Sequence, residues 1–141
     1  MLKQTLSVIL LCTMAIGLTG CKDLKSPEGC ARAYEESILE GNIDEAFKIN
    51  RIDRTVPKTD AERSALQIKT QVLAKIFHDR HIEAQKLGGL KDIKVVKTEI
   101  KDNGTFAFVR MILIFGNRST DNEHVFMTKH DDGTWIPILR D

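Results

Sequence analysis

The chain reads as an α+β domain, with helices at the N-terminal side packed on one face of a curved four-stranded antiparallel sheet. Three observations predict this. Apolar residues recur with helical spacing up to a Gly88-Gly89 stop, and the period then changes to two for the rest of the chain. The strand-like segments that follow are joined by short turn signals, Asp102-Asn103-Gly104 and Asp131-Asp132-Gly133, as hairpins require. Helices first and a meander afterwards is the order of a helical layer on an antiparallel sheet.

Residues 1–20 stand outside that domain. Lys3 supplies a positive start, Leu6 to Leu18 an almost unbroken apolar run, and Thr19-Gly20 small residues before Cys21. This is the pattern of a cleaved secretory signal. The run ends at the charged Lys22-Asp23-Leu24-Lys25, short of the roughly 20 apolar residues of a membrane span. Residues 21–26 read as a short tether, and 27–141 as a single domain.

Ser26-Pro27-Glu28 opens the first helix with a capping hydroxyl, a proline in the first turn and a carboxylate near the positive helix end. Cys30, Ala31, Tyr34 and Ile38 share one face, and Gly41 ends it. Asn42 caps a second, short helix that buries Ala46, Phe47 and Ile49. Residues 51–58 have no period and include Pro57, so they form a loop. Thr59-Asp60-Ala61-Glu62 is a capping box that starts a long helix to about Lys86, with Ala65, Leu66, Val72, Leu73, Ile76 and Phe77 as its apolar stripe.

Strands are expected over Ile93–Ile100, Thr105–Phe115, Glu123–His130 and Thr134–Leu139. The second is apolar on both faces: Phe106, Phe108, Arg110, Ile112 and Ile114 on one, Ala107, Val109, Met111, Leu113 and Phe115 on the other. A half-solvated antiparallel sheet shows one polar face, so something must cover the second side. Curvature, a helix round the rim or a second copy of the chain would each do so, and the homodimer predicts that Val109, Met111 and Leu113 are exposed in an isolated monomer.

Charge excludes some functions. The chain has 21 basic and 20 acidic residues, and with Lys3 in the signal the remainder is balanced. Neutral, interspersed charge gives no footprint for nucleic acid. Of three cysteines, Cys12 lies in the signal and Cys21 at its end, which leaves Cys30 without an intramolecular disulfide partner. Its place on an apolar helix face marks it as a small buried hydrophobe rather than a reactive thiol.

Metal candidates are weak. His78 and His81 form a His-x-x-His pair near Asp79 and Glu83, but at about 100 degrees per residue His78 points nearly opposite the apolar stripe and His81 lies on its flank, so both are expected to face solvent, and zinc needs three or four convergent ligands. His124 and His130 are too far apart along one strand to share an ion. The sequence has no Gly-x-Ser-x-Gly elbow, phosphate-cradling glycine loop or paired Cys-x-x-Cys, and no cofactor is expected.

Leu18-Thr19-Gly20-Cys21 resembles the lipobox of bacterial lipoproteins, which implies cleavage before Cys21, diacylglycerol on its sulfur and often acylation of the new amino group. Several chains on one residue make a stable anchor where one chain gives only marginal binding. By resemblance to enterobacterial sorting, Lys22 is not the aspartate that retains lipoproteins in the inner membrane, which points to the outer membrane, facing the periplasm.

Tyr34 and Ile38, the step Gly41-Asn42-Ile43-Asp44-Glu45-Ala46 and the closing hairpin Asp132-Gly133-Thr134-Trp135 resemble small bacterial lipoproteins of a domain-of-unknown-function family with the cone-shaped fold of nuclear transport factor 2. The resemblance spans roughly Pro27 to Leu139. It implies a pocket inside the cone lined by Tyr34, Phe106, Phe108 and Arg110. Enzymes of that superfamily pair a base with a hydrogen-bonding tyrosine, but fold alone does not transfer chemistry. Tyr34, with Arg80 and Glu83 at the pocket mouth, is the weak catalytic set. Arg80 and Glu83 also read as a simple ion pair near the helix end. The expectation is a lipid-anchored envelope protein that binds a protein partner or small apolar ligand without catalysis; the alternative is a small isomerase or hydro-lyase using Tyr34.

Overall fold

A computed structural model describes residues 23–139. The signal segment 1–20 and the expected lipidation site Cys21 lie outside the described residues. Helix α1 spans Pro27–Leu39, α2 Ile43–Ile49 and α3 Asp60–Lys86, and the strands are β1 Leu90–Lys101, β2 Phe106–Phe115, β3 Thr120–Lys129 and β4 Trp135–Pro137. The sheet order is β1-β2-β3-β4, all neighbours antiparallel, so the expected α+β architecture holds.

The helices start where the capping chemistry puts them. The Ser26 side chain accepts from the Gly29 amide with Pro27 at the first helical position, Asn42 accepts from Glu45, and Thr59 accepts from Glu62. The Glu62 carboxylate reaches back to the Lys58 amide at 2.6 Å. Two register shifts, at Leu90/Asp92 and Val95/Lys97, interrupt the pairing of β1 with β2; bulges of this kind bend and twist a strand.

α1 sits on the sheet with burial all round it. Cys30, Ala31, Ile38, Val109, Met111 and Met127 are wholly buried, and Leu113 is 2% exposed. Each of the larger ones, Ile38, Val109, Met111, Leu113 and Met127, contributes about 1.5–3 kcal/mol by leaving water. Arg32 donates to the Ile93 carbonyl at 2.6 Å, and the Cys30 thiol donates to the Trp135 carbonyl at 3.2 Å. Burial pushes that thiol up to about 12. A cysteine with no solvent access and so high a pKa is a packing residue, as its helical position indicated.

Four expectations need correction. Val109, Met111 and Leu113 face the helices and are buried, so they are not the uncovered side of the sheet. That side carries Phe106, Phe108, Ile112 and Ile114, all half-buried, with Phe126 beside them on β3. Residues 23–25 are not a free tether: Asp23 accepts from the Lys25 amide and the Ser26 hydroxyl, Leu24 packs on the core, and its carbonyl accepts from Trp135. The polar segment before the third strand is shorter than expected, because β3 begins at Thr120.

The fourth concerns α3. At about 1.5 Å per residue, its 27 residues run about twice the length of the 13-residue α1. The first half therefore overhangs the core. Ile68 and Val72 there are 62% and 52% exposed, and Ile76 just past the midpoint is 47% exposed, while Phe77 and Ala84 farther along are buried.

Gly41 shows how tightly the α1–α2 step meets α3. Its φ is +83°, and a Cβ there would lie 2.9 Å from the His81 ring. Gly41→Ala combines left-handed strain with that contact and should cost about 1–3 kcal/mol, read as a lower midpoint in urea denaturation. An unchanged midpoint would show that the turn and the His81 contact are not rigid.

Candidate functional site

The site follows from one charge placed on a buried helix. In α1 the series Ala31, Glu35, Leu39 steps four residues at a time down a single face, and Glu35 is 2% exposed. A buried carboxylate demands a partner. Arg80 of α3 supplies it: its two terminal nitrogens donate to the two Glu35 oxygens at 3.3 and 2.5 Å. One of those nitrogens also donates to Glu123 of β3 at 3.1 Å. Glu123 shares the helix-facing side of β3 with Val125 and Met127, and its other oxygen accepts from the His124 amide at 3.0 Å. Three elements thus converge on one guanidinium.

Burial pushes the Glu35 carboxyl above its ordinary range; Arg80 opposes that shift, and Glu123 adds to it. Arg80 is held firmly charged, because the two carboxylates outweigh its own burial.

Beside this clamp lies a solvent-connected cavity of about 210 Å³. Its walls come from α1 (Tyr34, Glu35, Ile38), α3 (Leu73, Ile76, Phe77, Arg80), β3 (Glu123 to Phe126) and the end of the chain after β4 (Pro137, Ile138, Leu139). A second recess of about 240 Å³ shares Arg80 and Glu123 and adds Asp79, Glu83 and Asp121. Tyr34 packs edge-on to Phe77 at 5.9 Å between ring centres, and Phe77 in turn meets Phe47 at 5.7 Å. The Tyr34 hydroxyl accepts from the Asn50 amide at 3.4 Å, and burial raises its pKa to about 12.

The residues singled out from sequence are therefore divided. Tyr34 and Arg80 meet at the cavity. Phe106, Phe108 and Arg110 do not: they project from the opposite face of β2, where Phe108 lies 4.9 Å from Phe126 and stacks on His124 at 5.3 Å between ring centres. The reason is parity, since Ala107, Val109 and Met111 take the helix-facing positions. Glu83 pairs with Lys86 at 2.8 Å rather than with Arg80 and borders the second recess. His78 is exposed as expected, but His81 does not face solvent: it is half-buried, and its Nδ1 lies 2.7 Å from the Leu39 carbonyl at the α1–α2 step. No group of three or more potential metal ligands occurs among the described residues.

Sequence reading missed Glu35 and Glu123. Each carried a signal, a carboxylate at an apolar helical position in α1 and one in phase with Val125 and Met127 in β3.

With this geometry in place, the class is clear: the fold is the NTF2-like fold. A crystal structure from Campylobacter jejuni, described with the words NTF2-like transpeptidase, superposes with a TM-score of 0.68 at 21% identity, covering 82% of this chain and 99% of that one. At that identity the likeness speaks for the fold. No protein-family model matches the chain, and no curated protein matches it. No helix among the described residues is long and apolar enough to cross a membrane.

Removal of Arg80 tests the clamp. In Arg80→Met, burial acts on Glu35 unopposed, so its carboxyl titrates higher still. The folded state then keeps a proton that the unfolded chain releases near its ordinary value of about 4.3, and stability falls as pH rises through that window. The variant should lose about 3–5 kcal/mol at neutral pH and recover part of that at pH 5, measured by urea denaturation. A loss independent of pH would mean Glu35 does not depend on Arg80.

Proposed function

We infer that this is a lipid-anchored cell-envelope protein whose cavity between α1, α3 and β3 binds a small, largely apolar ligand without transforming it. One observation carries the binding reading: an open, mostly apolar cavity whose polar groups are bound to one another. Glu35 and Glu123 hold Arg80, and the Tyr34 hydroxyl is engaged by Asn50. A base for an isomerase or hydro-lyase must be free to take a proton from substrate, and an oxyanion donor must aim at the reacting atom. Glu35, locked to Arg80 beneath the surface, is placed for neither role. The transpeptidase description of the Campylobacter jejuni structure does not carry over to Cys30, the one cysteine in the described residues, because a nucleophile must be reachable and Cys30 is wholly buried.

The anchor at Cys21 rests on the lipobox resemblance, and the outer membrane on Lys22. Leu24, whose carbonyl is bonded to Trp135, would then sit three residues from the acylated cysteine, which holds the domain close to the bilayer.

A second reading is favoured by the outer face of the sheet. Phe106, Phe108, Ile112, Ile114 and Phe126 form a half-buried apolar row, broken by the exposed Arg110, with no helix over it among the described residues. A second copy of the chain packed face to face there would cover it.

Leu73→Trp, which places an indole in the cavity, should abolish the fluorescence rise of N-phenyl-1-naphthylamine seen with the unmodified protein; an undiminished rise would place apolar binding elsewhere. Mass spectrometry of the N-terminal peptide should find acyl chains on Cys21 and none after Cys21→Ala, and an unacylated Cys21 removes the anchor. Light scattering should give a dimer that Phe108→Glu dissociates, while a monomeric unmodified protein removes the sheet-face contact.

A further inference from the structure

We propose that the cavity selects a cationic amphiphile: a primary ammonium or comparable head seated against Glu123, with an apolar tail running out along the exposed stripe of α3. The inference rests on the reading of the cavity as a binding site and names the ligand class.

The sign of the head follows from the clamp. Glu35 and Glu123 carry two negative charges against the single positive charge of Arg80, so the polar end of the cavity has a formal charge of −1 with all three ionised. Three of the five N–H donors of Arg80 go to carboxylate oxygens, so an anion approaching it meets two carboxylates first. Glu123 is different. Its side chain is 31% exposed, each of its oxygens accepts one bond, and a carboxylate offers about four acceptor sites. It can take a further donor without giving up Arg80. The neighbouring recess reinforces the sign: Asp79, Glu83 and Asp121 line it, with Arg80 the one basic side chain among its walls. Lys75 and Lys86 are bonded to Asp79 and Glu83, and Asp121 and Glu123 remain to set the sign.

The tail follows from the shape. About 210 Å³ is the room of about seven water molecules at about 30 Å³ each, enough for a head and a few methylenes. From the mouth, Ile76 and Leu73 lead to Val72 and Ile68 on the overhanging half of α3, and Ile138 forms the opposite lip at 40% exposure. A linear chain leaving the cavity meets apolar surface on that path.

Octylammonium, octan-1-ol and octanoate, each below its micellar concentration and titrated into the purified protein by calorimetry, separate the possibilities. Octylammonium should bind about tenfold more tightly than octan-1-ol, the margin of a charge-assisted over a neutral hydrogen bond, and octanoate more weakly than both. Glu123→Gln should bring amine and alcohol level. Should that variant misfold, the Glu123 carboxyl carbon resonance of the unmodified protein gives the same answer, shifting with the amine and staying still with the alcohol. Equal binding of amine and alcohol, or a preference for octanoate, overturns the cationic assignment and leaves the apolar cavity standing, provided Leu73→Trp abolishes both. If none of the three binds, or Leu73→Trp leaves binding intact, the cavity reading falls as well.

Discussion

The arrangement depends on a carboxylate buried where a hydrocarbon would be expected. Glu35 lies on the face of α1 that also carries Ala31 and Leu39, and its charge is tolerable because Arg80 meets both oxygens. That requirement fixes how α3 lies against α1, and the contact of Arg80 with Glu123 extends it to β3. Ion pairs of this kind seldom add much net stability over an apolar replacement. What this one supplies is position: three elements distant in sequence are registered on one guanidinium, and the wall of the cavity is set by that register. The same three elements wall the cavity, so the charges that hold the helices also give the cavity its polar end.

The remainder of the fold is ordinary burial around that point. Met111, Val109 and Leu113 from the sheet interlock with Ile38 and Cys30 from α1, and the bulged β1 bends the edge of the sheet. Hydrogen bonds seal the rim where strands end: Leu24 to Trp135 at the start of the fold, and Arg51 to Asp132 and Thr134 across the last hairpin. The Asp132 carboxyl is held far below its ordinary range, chiefly by the hydroxyl and amide of Thr134 and further by Arg51. On the overhanging half of α3, by contrast, Ile68 and Val72 are left exposed.

Much of this was legible in the chain, and the reasons are local. Ser26-Pro27, Asn42 and Thr59 each satisfy orphan amides at a helix start, so the helix starts could be read from side chains alone. The change from helical to alternating period placed the sheet. The cavity was harder. Tyr34 was found as the one tyrosine of the chain and Arg80 because it continues the apolar stripe of α3 beyond Phe77, while Glu35 looked like one more acidic residue on a charged helix. Which face of β2 turns inward is a two-fold ambiguity that an all-apolar strand does not resolve, and for that reason Phe106, Phe108 and Arg110 were assigned to the wrong side. The stripe of α3 was read as core because periodicity reports a face and not how far along a helix that face is covered.

The account stands on the cavity over the clamp being the place where apolar ligand is held. Methyl spectra of the unmodified protein titrated with octan-1-ol measure this directly. Saturable shifts centred on Ile38, Leu73, Ile76, Ile138 and Leu139 are the predicted result. Shifts that never saturate, or that fall instead on Ile112 and Ile114 of the outer sheet face, would contradict it.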